Sequence, residues 1–300
     1  MSTQIHNNWS RRRFVKTSAA VAAAALAPGL TGCGDGDSGY AGFRLAFQTY
    51  GLRHFPVGEA LAMVRDLGIS QIELWNLHNQ MSAPGVRDKS IAPYHAHPGD
   101  WGALQPLMQQ NGIQAIAYGA QNFNLDFSEN RAILEWAQRA GVEAISAHID
   151  PRAFDYLDGL VEETGVKIGI HNHGPGWHHP DIPTIADALK DHHPNLGLYA
   201  DTQHFFRSAV DPVEAVETFI DRLHGIHLKD VKHGLPLDHD SHDQQEVLGE
   251  GQIDIAAILR ILKQHDYRGL LVLEYEAVPE NPIPSMKQSL QNLRDMCANL

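Results

Sequence analysis

From residue 43 onward the chain alternates between two hydrophobic periods. Short apolar or β-branched runs stand at 43–50 (FRLAFQTY), 70–75 (SQIELW), 114–119 (QAIAYG), 143–149 (EAISAHI), 166–171 (VKIGIH), 196–201 (LGLYAD), 223–229 (LHGIHLK) and 270–276 (LLVLEYE). Each is followed by a stretch with helical spacing; in the first, Ala60, Leu61, Val64 and Leu67 share one face. Gly68, Gly112, Gly141 and Gly165 stand where a helical pattern gives way to a strand pattern. A glycine there supplies the left-handed residue that stops a helix before a short loop. Eight such β-α units predict a closed parallel barrel, the (β/α)8 TIM barrel, an α/β fold. A doubly wound open sheet normally carries a Gly-rich phosphate loop after its first strand, and this chain has none.

The first 42 residues follow a different logic. Ser10-Arg11-Arg12-Arg13-Phe14-Val15-Lys16 precedes an apolar, Ala-rich run from Ala19 to Leu30, then Leu30-Thr31-Gly32-Cys33. The run is too short to span a bilayer, which needs about 20 strongly apolar residues. A basic segment, a short apolar segment and small residues before a cut read as an export signal. The paired arginines resemble a twin-arginine signal and the LTGC tetrapeptide resembles a lipoprotein lipobox, which implies lipidation at Cys33. The expected organisation is therefore a signal with lipobox over 1–33, a Gly/Asp/Ser tether over 34–42 and a barrel domain over 43–300. The expected location is the periplasmic face of a bacterial membrane, with the membrane contacted only through the lipid. With Cys33 acylated, Cys297 is the one cysteine left, so no intrachain disulfide is available and the core must supply the stability.

Composition narrows the function classes. Over 300 residues, 43% are hydrophobic and 20% charged, which suits one large globular domain and excludes collagen-like, disordered and multi-pass membrane chains. Lys+Arg total 23 against 36 Asp+Glu; the first 32 residues hold Arg11, Arg12, Arg13, Lys16 and no acid, so the remainder carries 19 − 36 = −17. So acidic a body repels phosphate backbones, and no nucleic-acid partner is expected.

The 19 histidines must be read by position. Chemistry in a TIM barrel collects at the C-terminal strand ends. Those ends hold Glu73, His148, the triplet His171-Asn172-His173, Asp201 with His204, His227 with Lys229 and Asp230, and Glu274 with Glu276. Period-two alternation puts His171 with His173, His227 with Lys229, and Glu274 with Glu276 on common faces. Carboxylates and imidazoles converging in a buried ring are costly unless paired, and a divalent cation removes that cost. The mixed donor set suits Mn²⁺, Fe²⁺, Co²⁺ or Zn²⁺, and Mg²⁺ less well. Other polar residues have plainer readings. Asp211 before Pro212 is a helix cap. His233, His239, Asp240, His242 and Asp243 form a solvated lid, and His178, His179, His192 and His193 lie on the surface.

On these residues the chain resembles the sugar phosphate isomerase/epimerase family of xylose-isomerase-like barrels. The resemblance runs over about 43–298 and rests on GIHNHG (169–174), ADTQHF (200–205), HGIHLKD (224–230), LGEGQID (248–254) and LVLEYE (271–276). It implies one divalent metal, manganese first, held by residues ending strands five to eight. The family's usual Glu-Asp-His-Glu falls on Asp201, His227 and Glu274 for the last three. The strand-five Glu is replaced within the His-Asn-His triplet, most simply by His171.

The resemblance further implies proton abstraction beside a ketone, through an enediolate, with epimerisation, isomerisation or elimination as outcomes. Glu274, His171 and His173 are the expected catalytic groups, and His204, Lys229, Glu73 and His148 the expected substrate contacts. The expected substrate is an unphosphorylated keto-sugar, a 3-keto-glycoside or an inosose-like ring. The competing reading is a non-catalytic sugar-binding lipoprotein on the same barrel. An endonuclease of related fold needs a multi-zinc cluster and basic loops, which the −17 balance opposes. Assembly into a homo-oligomer is compatible with this reading.

Overall fold

A computed structural model describes residues 39–75, 98–234 and 244–300. The export signal, Cys33 and the tether up to residue 38 therefore lie outside the described residues, as do His239, Asp240, His242 and Asp243 of the expected lid.

Eight strands close a parallel barrel: β1 (Arg44–Gln48), β2 (Gln71–Trp75), β3 (Gln114–Phe123), β4 (Ala144–Ile149), β5 (Lys167–His171), β6 (Leu196–Asp201), β7 (Leu223–Leu228) and β10 (Leu270–Leu273). Each pairs with its neighbours in sequence, and β10 closes onto β1 through Arg44–Leu270 to Phe47–Leu273. Between β7 and β10 a two-stranded antiparallel ladder joins β8 (Asp230–Val231) to β9 (Gln245–Glu246). Around the barrel lie α1 (Val57–Asp66), α2 (Pro98–Asn111), α3 (Phe127–Ala140), α4 (Phe154–Thr164), α5 (Ile182–Leu189), α6 (Thr202–Arg207), α7 (Pro212–Thr218), α8 (Ile255–Gln264) and α9 (Ile283–Cys297). This is the TIM barrel that the alternating periods predict.

The helix boundaries follow the local chemistry. Side-chain carboxylates of Asp126, Asp181, Asp211 and Asp254 cap α3, α5, α7 and α8, each accepting a backbone N–H of the first turn. Gly141 and Gly165 end α3 and α4 in the left-handed conformation, at φ 77° and 73°.

The first strand ends at Gln48, where a helical turn over Thr49–Leu52 takes over, and two other strand boundaries differ from expectation. β3 continues to Phe123. The last strand stops at Leu273 because Gln245 takes up the next backbone groups: its amide donates to the Glu274 carbonyl and accepts from the Glu276 N–H.

Strand alternation sorts the core into two layers. Outward residues such as Ile168, Ile170, Leu198, Ile226, Leu228, Leu271 and Leu273 pack beneath the helices. A smaller interior cluster holds Ala46, Ile116, Ala117, Ala144, Tyr199, Leu270 and Val272. Tyr199 is the bulkiest of these, and the flanking strands make room for it. Gly225, its registered partner on β7, has no Cβ where one would meet the Tyr199 ring at 2.3 Å. On β5, a Cβ at Gly169 would sit 2.6 Å from the Tyr199 Cβ. The ring therefore stands inside the barrel with its hydroxyl aimed at the opposite wall.

Candidate active site

Glu73, on the inward face of β2, is fully buried. Its two oxygens accept four hydrogen bonds from four other strands. Gln48 Nε2 and Ser146 Oγ donate to Oε1 at 2.8 and 2.6 Å, and the Tyr199 hydroxyl donates to Oε2 at 2.6 Å. His227 Nε2 lies 2.9 Å from Oε2, and since a carboxylate only accepts, that nitrogen carries the proton. Burial alone would raise the Glu73 pKa, but His227, Ser146 and Tyr199 hold it below the ordinary carboxylate value.

Above this floor, His227 turns its other nitrogen to the mouth. Nδ1 is 3.1 Å from Glu274 Oε2, 3.2 Å from His171 Nε2 and 3.8 Å from Asp201 Oδ2. The ligand atoms of Asp201, His227 and Glu274 all lie within 4.8 Å of one another, as do those of His171, Asp201 and His204. Asp201 divides its oxygens: Oδ1 caps α6 by accepting the His204 N–H at 2.9 Å, leaving Oδ2 for the site. Asn172 is turned away and bonded to the Asp201 backbone in both directions, so it locks β5 to β6 and offers nothing to the site.

The charge balance fits a divalent cation. Four buried carboxylates, Glu73, Asp201, Glu274 and Glu276, face two buried cations, Lys229 and Arg207, among the described residues of the site. With His227 neutral, as a ligand must be, the deficit of two is the charge of one divalent ion. In the ion-free protein, protons on the titrating groups cover part of that deficit. Burial would depress His227, yet Glu73 and Glu274 push it up to about 10; burial pushes Glu274 up to about 7 against Lys229 and His227. Lys229 is buried too, but Asp201, Glu274 and Glu276 keep it firmly cationic. Its Nζ lies 3.0 Å from both Asp201 Oδ2 and Glu274 Oε2 and contacts Glu276 Oε1. Imidazole and carboxylate donors together suit a first-row transition ion, and the Glu73–His227 contact is the carboxylate–histidine support typical of metal ligands.

A cavity of about 310 Å³ opens over this ring at the C-terminal end of the barrel. His148, His171, His173, His204, Lys229 and Glu274 line it, as the strand-end reading expects. His173 stacks on His204, with ring centroids 4.2 Å apart. Arg207 donates to His204 Nδ1 at 2.6 Å; a guanidinium only donates, so His204 carries its proton on Nε2. Burial drives the His204 pKa well below the usual imidazole value, so this N–H is a neutral donor.

Two expectations change. Glu73, expected to touch substrate, lies below the cavity lining and acts through His227. His179, expected on the surface, is buried and packs edge-on to Phe154, while His192 is half-buried and bonded to Asp158 at 2.8 Å. Asp230 accepts backbone N–H groups from Val231, Gly249, Gly251 and Ile253, folding the LGEGQID segment around itself. Gln48, Ser146, Tyr199 and Arg207 were not singled out in the sequence. Gln48 ends β1 and carried the strand-end signal, whereas Arg207 sits inside a helix and carried none.

Residues 146–296 match the family described as "Xylose isomerase-like TIM barrel", and the chain belongs to that family. It is similar to an inosose dehydratase of Histophilus somni (strain 129Pt), 28% identical over 160 residues, covering 48% of this chain and 53% of the relative. An inosose dehydratase of Halalkalibacterium halodurans is 23% identical over 232 residues, covering 71% and 73%. The chain thus spans about half the length of the first relative and nearly three quarters of the second. Among solved structures, the IOLI protein with a bound zinc atom superimposes with a TM-score of 0.67 at 18% identity, covering 86% of this chain and 99% of that one; the likeness is one of fold.

Loading the site with a divalent ion requires His227 Nδ1 to lose its proton. Metal affinity is therefore expected to rise with pH between about 6 and 9, close to tenfold per unit where His227 stays charged in the ion-free protein. Glu73→Gln removes one of the charges that raise His227, so the slope should flatten; the lost support for the ligand costs about 10- to 100-fold in affinity, which eased proton competition partly offsets at pH 8. Calorimetric titration with Mn²⁺ or Zn²⁺ across that range reads both effects.

Proposed function

We propose that this protein is a metal-dependent enzyme that removes the proton beside the ketone of an unphosphorylated keto-sugar, with elimination or epimerisation as the outcome. The observation that carries the reading is the pair of buried triads at the barrel mouth, Asp201–His227–Glu274 and His171–Asp201–His204, which share Asp201 and meet where His171 Nε2 lies 3.2 Å from His227 Nδ1. A divalent ion held there, manganese first and Fe²⁺, Co²⁺, Zn²⁺ or Mg²⁺ as competitors, would supply Lewis-acid polarisation of the ketone oxygen and its neighbouring hydroxyl.

The remaining work falls to side chains of this chain. His171 and Glu274 belong to the ligand ring, which leaves His173 on the cavity wall as the base that takes the carbon-bound proton. The electron pair released spreads onto the carbonyl oxygen as an enediolate. Lys229, held cationic and buried, and the neutral His204 Nε2–H stabilise that charge as it develops. The pair then returns to carbon with a proton from the opposite face, giving the epimer, or expels an oxygen substituent on the next carbon, giving elimination. The proton that His173 has taken is then available to the departing oxygen, while Glu274 stays in the ligand ring. The inosose dehydratase relatives support the dehydration and elimination branch and a ring ketone as substrate.

We further propose that the chain is exported through its twin-arginine signal and anchored by lipid at Cys33 on the periplasmic face of a bacterial membrane. The motif order in residues 10–33 supports this.

Incubating the Mn²⁺-loaded protein with a 3-keto-glucoside in D₂O should place deuterium α to the carbonyl or release the aglycone. His173→Ala should lower that rate about 10²- to 10⁴-fold, the range for loss of a general base. Tight sugar binding without exchange or release would contradict the enzyme and favour the binding lipoprotein. For the anchor, Cys33→Ser should shift the expressed protein from the membrane fraction to the soluble one; an unchanged distribution would refute lipidation at that residue.

A further inference from the structure

We propose that the rim of the cavity beside β5 is a second sugar subsite, in which Trp177 stacks on the non-reacting ring of a glycoside whose other ring occupies the cavity. The inference deepens the proposed function and rests on it for the identity of the ring inside.

Trp177 is 46% exposed, an unusual state for so large an apolar ring. Yet its orientation is fixed. The indole lies at 36° against His148 and 41° against His173, with centroids 4.4 and 4.5 Å away, and both imidazoles line the cavity. The segment carrying it is pinned too: Gly174 packs so closely on Arg207 that a Cβ would stand 2.9 Å from the guanidinium. One aromatic surface thus runs without a break from the cavity wall, through His173, to an open indole at the rim.

The opposite wall is also aromatic. Tyr50 and Trp75, which follow and end β1 and β2, line the cavity and meet edge to face at 4.9 Å. β5 lies four places from β1 around the ring of eight strands, so these aromatics and Trp177 stand on opposing sides of the mouth.

Polarity therefore changes with depth. Carboxylates, Lys229 and imidazole nitrogens crowd the bottom, and aromatic faces stand at the top. A sugar ring presents hydroxyls at its edge and C–H groups on its faces, so the reacting ring can take the polar floor while a second ring covers the indole. A single ring seated on the floor leaves Trp177 uncovered. The chemical class that fits is a keto-disaccharide or a keto-glycoside with a ring-shaped aglycone, and in the elimination branch the ring on Trp177 is the one that departs.

The test compares 3-ketocellobiose with 3-ketoglucose on the Mn²⁺-loaded full chain, by calorimetric affinity and by steady-state rates. The disaccharide should bind more tightly to the wild type. Trp177→Ala should raise KM and Kd for the disaccharide about three- to tenfold more than for the monosaccharide, the range for a lost aromatic stacking contact, and Trp177→Phe should recover part of the difference. Equal effects on the two sugars, or none on either, would overturn the subsite while leaving the proposed function standing. Selective disaccharide binding that depends on Trp177 without turnover would uphold the subsite and overturn the activity. Failure of both sugars to bind would overturn both.

Discussion

One buried hydrogen bond governs the organisation of the site: the contact of Glu73 with His227 at the bottom of the barrel mouth. A fully buried carboxylate is tolerable only when its oxygens are satisfied, and Glu73 achieves this by drawing donors from β1, β4, β6 and β7. The same four bonds hold those strand ends in register around a common centre. Because Glu73 takes the Nε2 proton, His227 must present Nδ1 to the mouth, where Asp201 and Glu274 already face it. The orientation of His227 is thus set from below, by a residue outside the cavity lining.

The backbone around the site serves this arrangement. Gly169 and Gly225 clear the volume that lets Tyr199 cross the barrel to Glu73. Asp201 anchors the first turn of α6 with one oxygen, so its other oxygen is held against the site without a flexible choice of rotamer. Asp230 closes the segment 248–254 by collecting four backbone N–H groups. Lys229, one residue earlier and therefore on the opposite face, is free to reach Asp201, Glu274 and Glu276. Preorganised charges of this kind cost the reaction little reorganisation when negative charge develops on a substrate oxygen.

Much of this was legible in the sequence, for identifiable reasons. The barrel followed from the change of hydrophobic period and from the glycines that end α3 and α4. The residues crowding the mouth followed from strand ends, because in a parallel barrel all those ends meet on one face. What alternation along a strand does not reveal is depth and register. It placed Glu73 on the inner face, but not one layer below the cavity, and nothing in the run LGLYAD marks Tyr199 as the partner of that carboxylate. The burial of His179 depends on packing against Phe154, a contact between distant segments. The Lys229 partners were within reach of sequence reasoning, since alternation already set Lys229 with His227 and apart from Asp230.

The central claim is that one divalent cation sits on the ring held by Glu73 and His227. Anomalous diffraction from crystals of the protein grown with Mn²⁺, collected on both sides of the metal absorption edge, tests it most directly. The account predicts a single strong peak within coordinating distance of Asp201, His227 Nδ1 and Glu274, with His171 completing the set in place of the strand-five carboxylate. No peak at the barrel mouth, or a cluster of three peaks there, would contradict it.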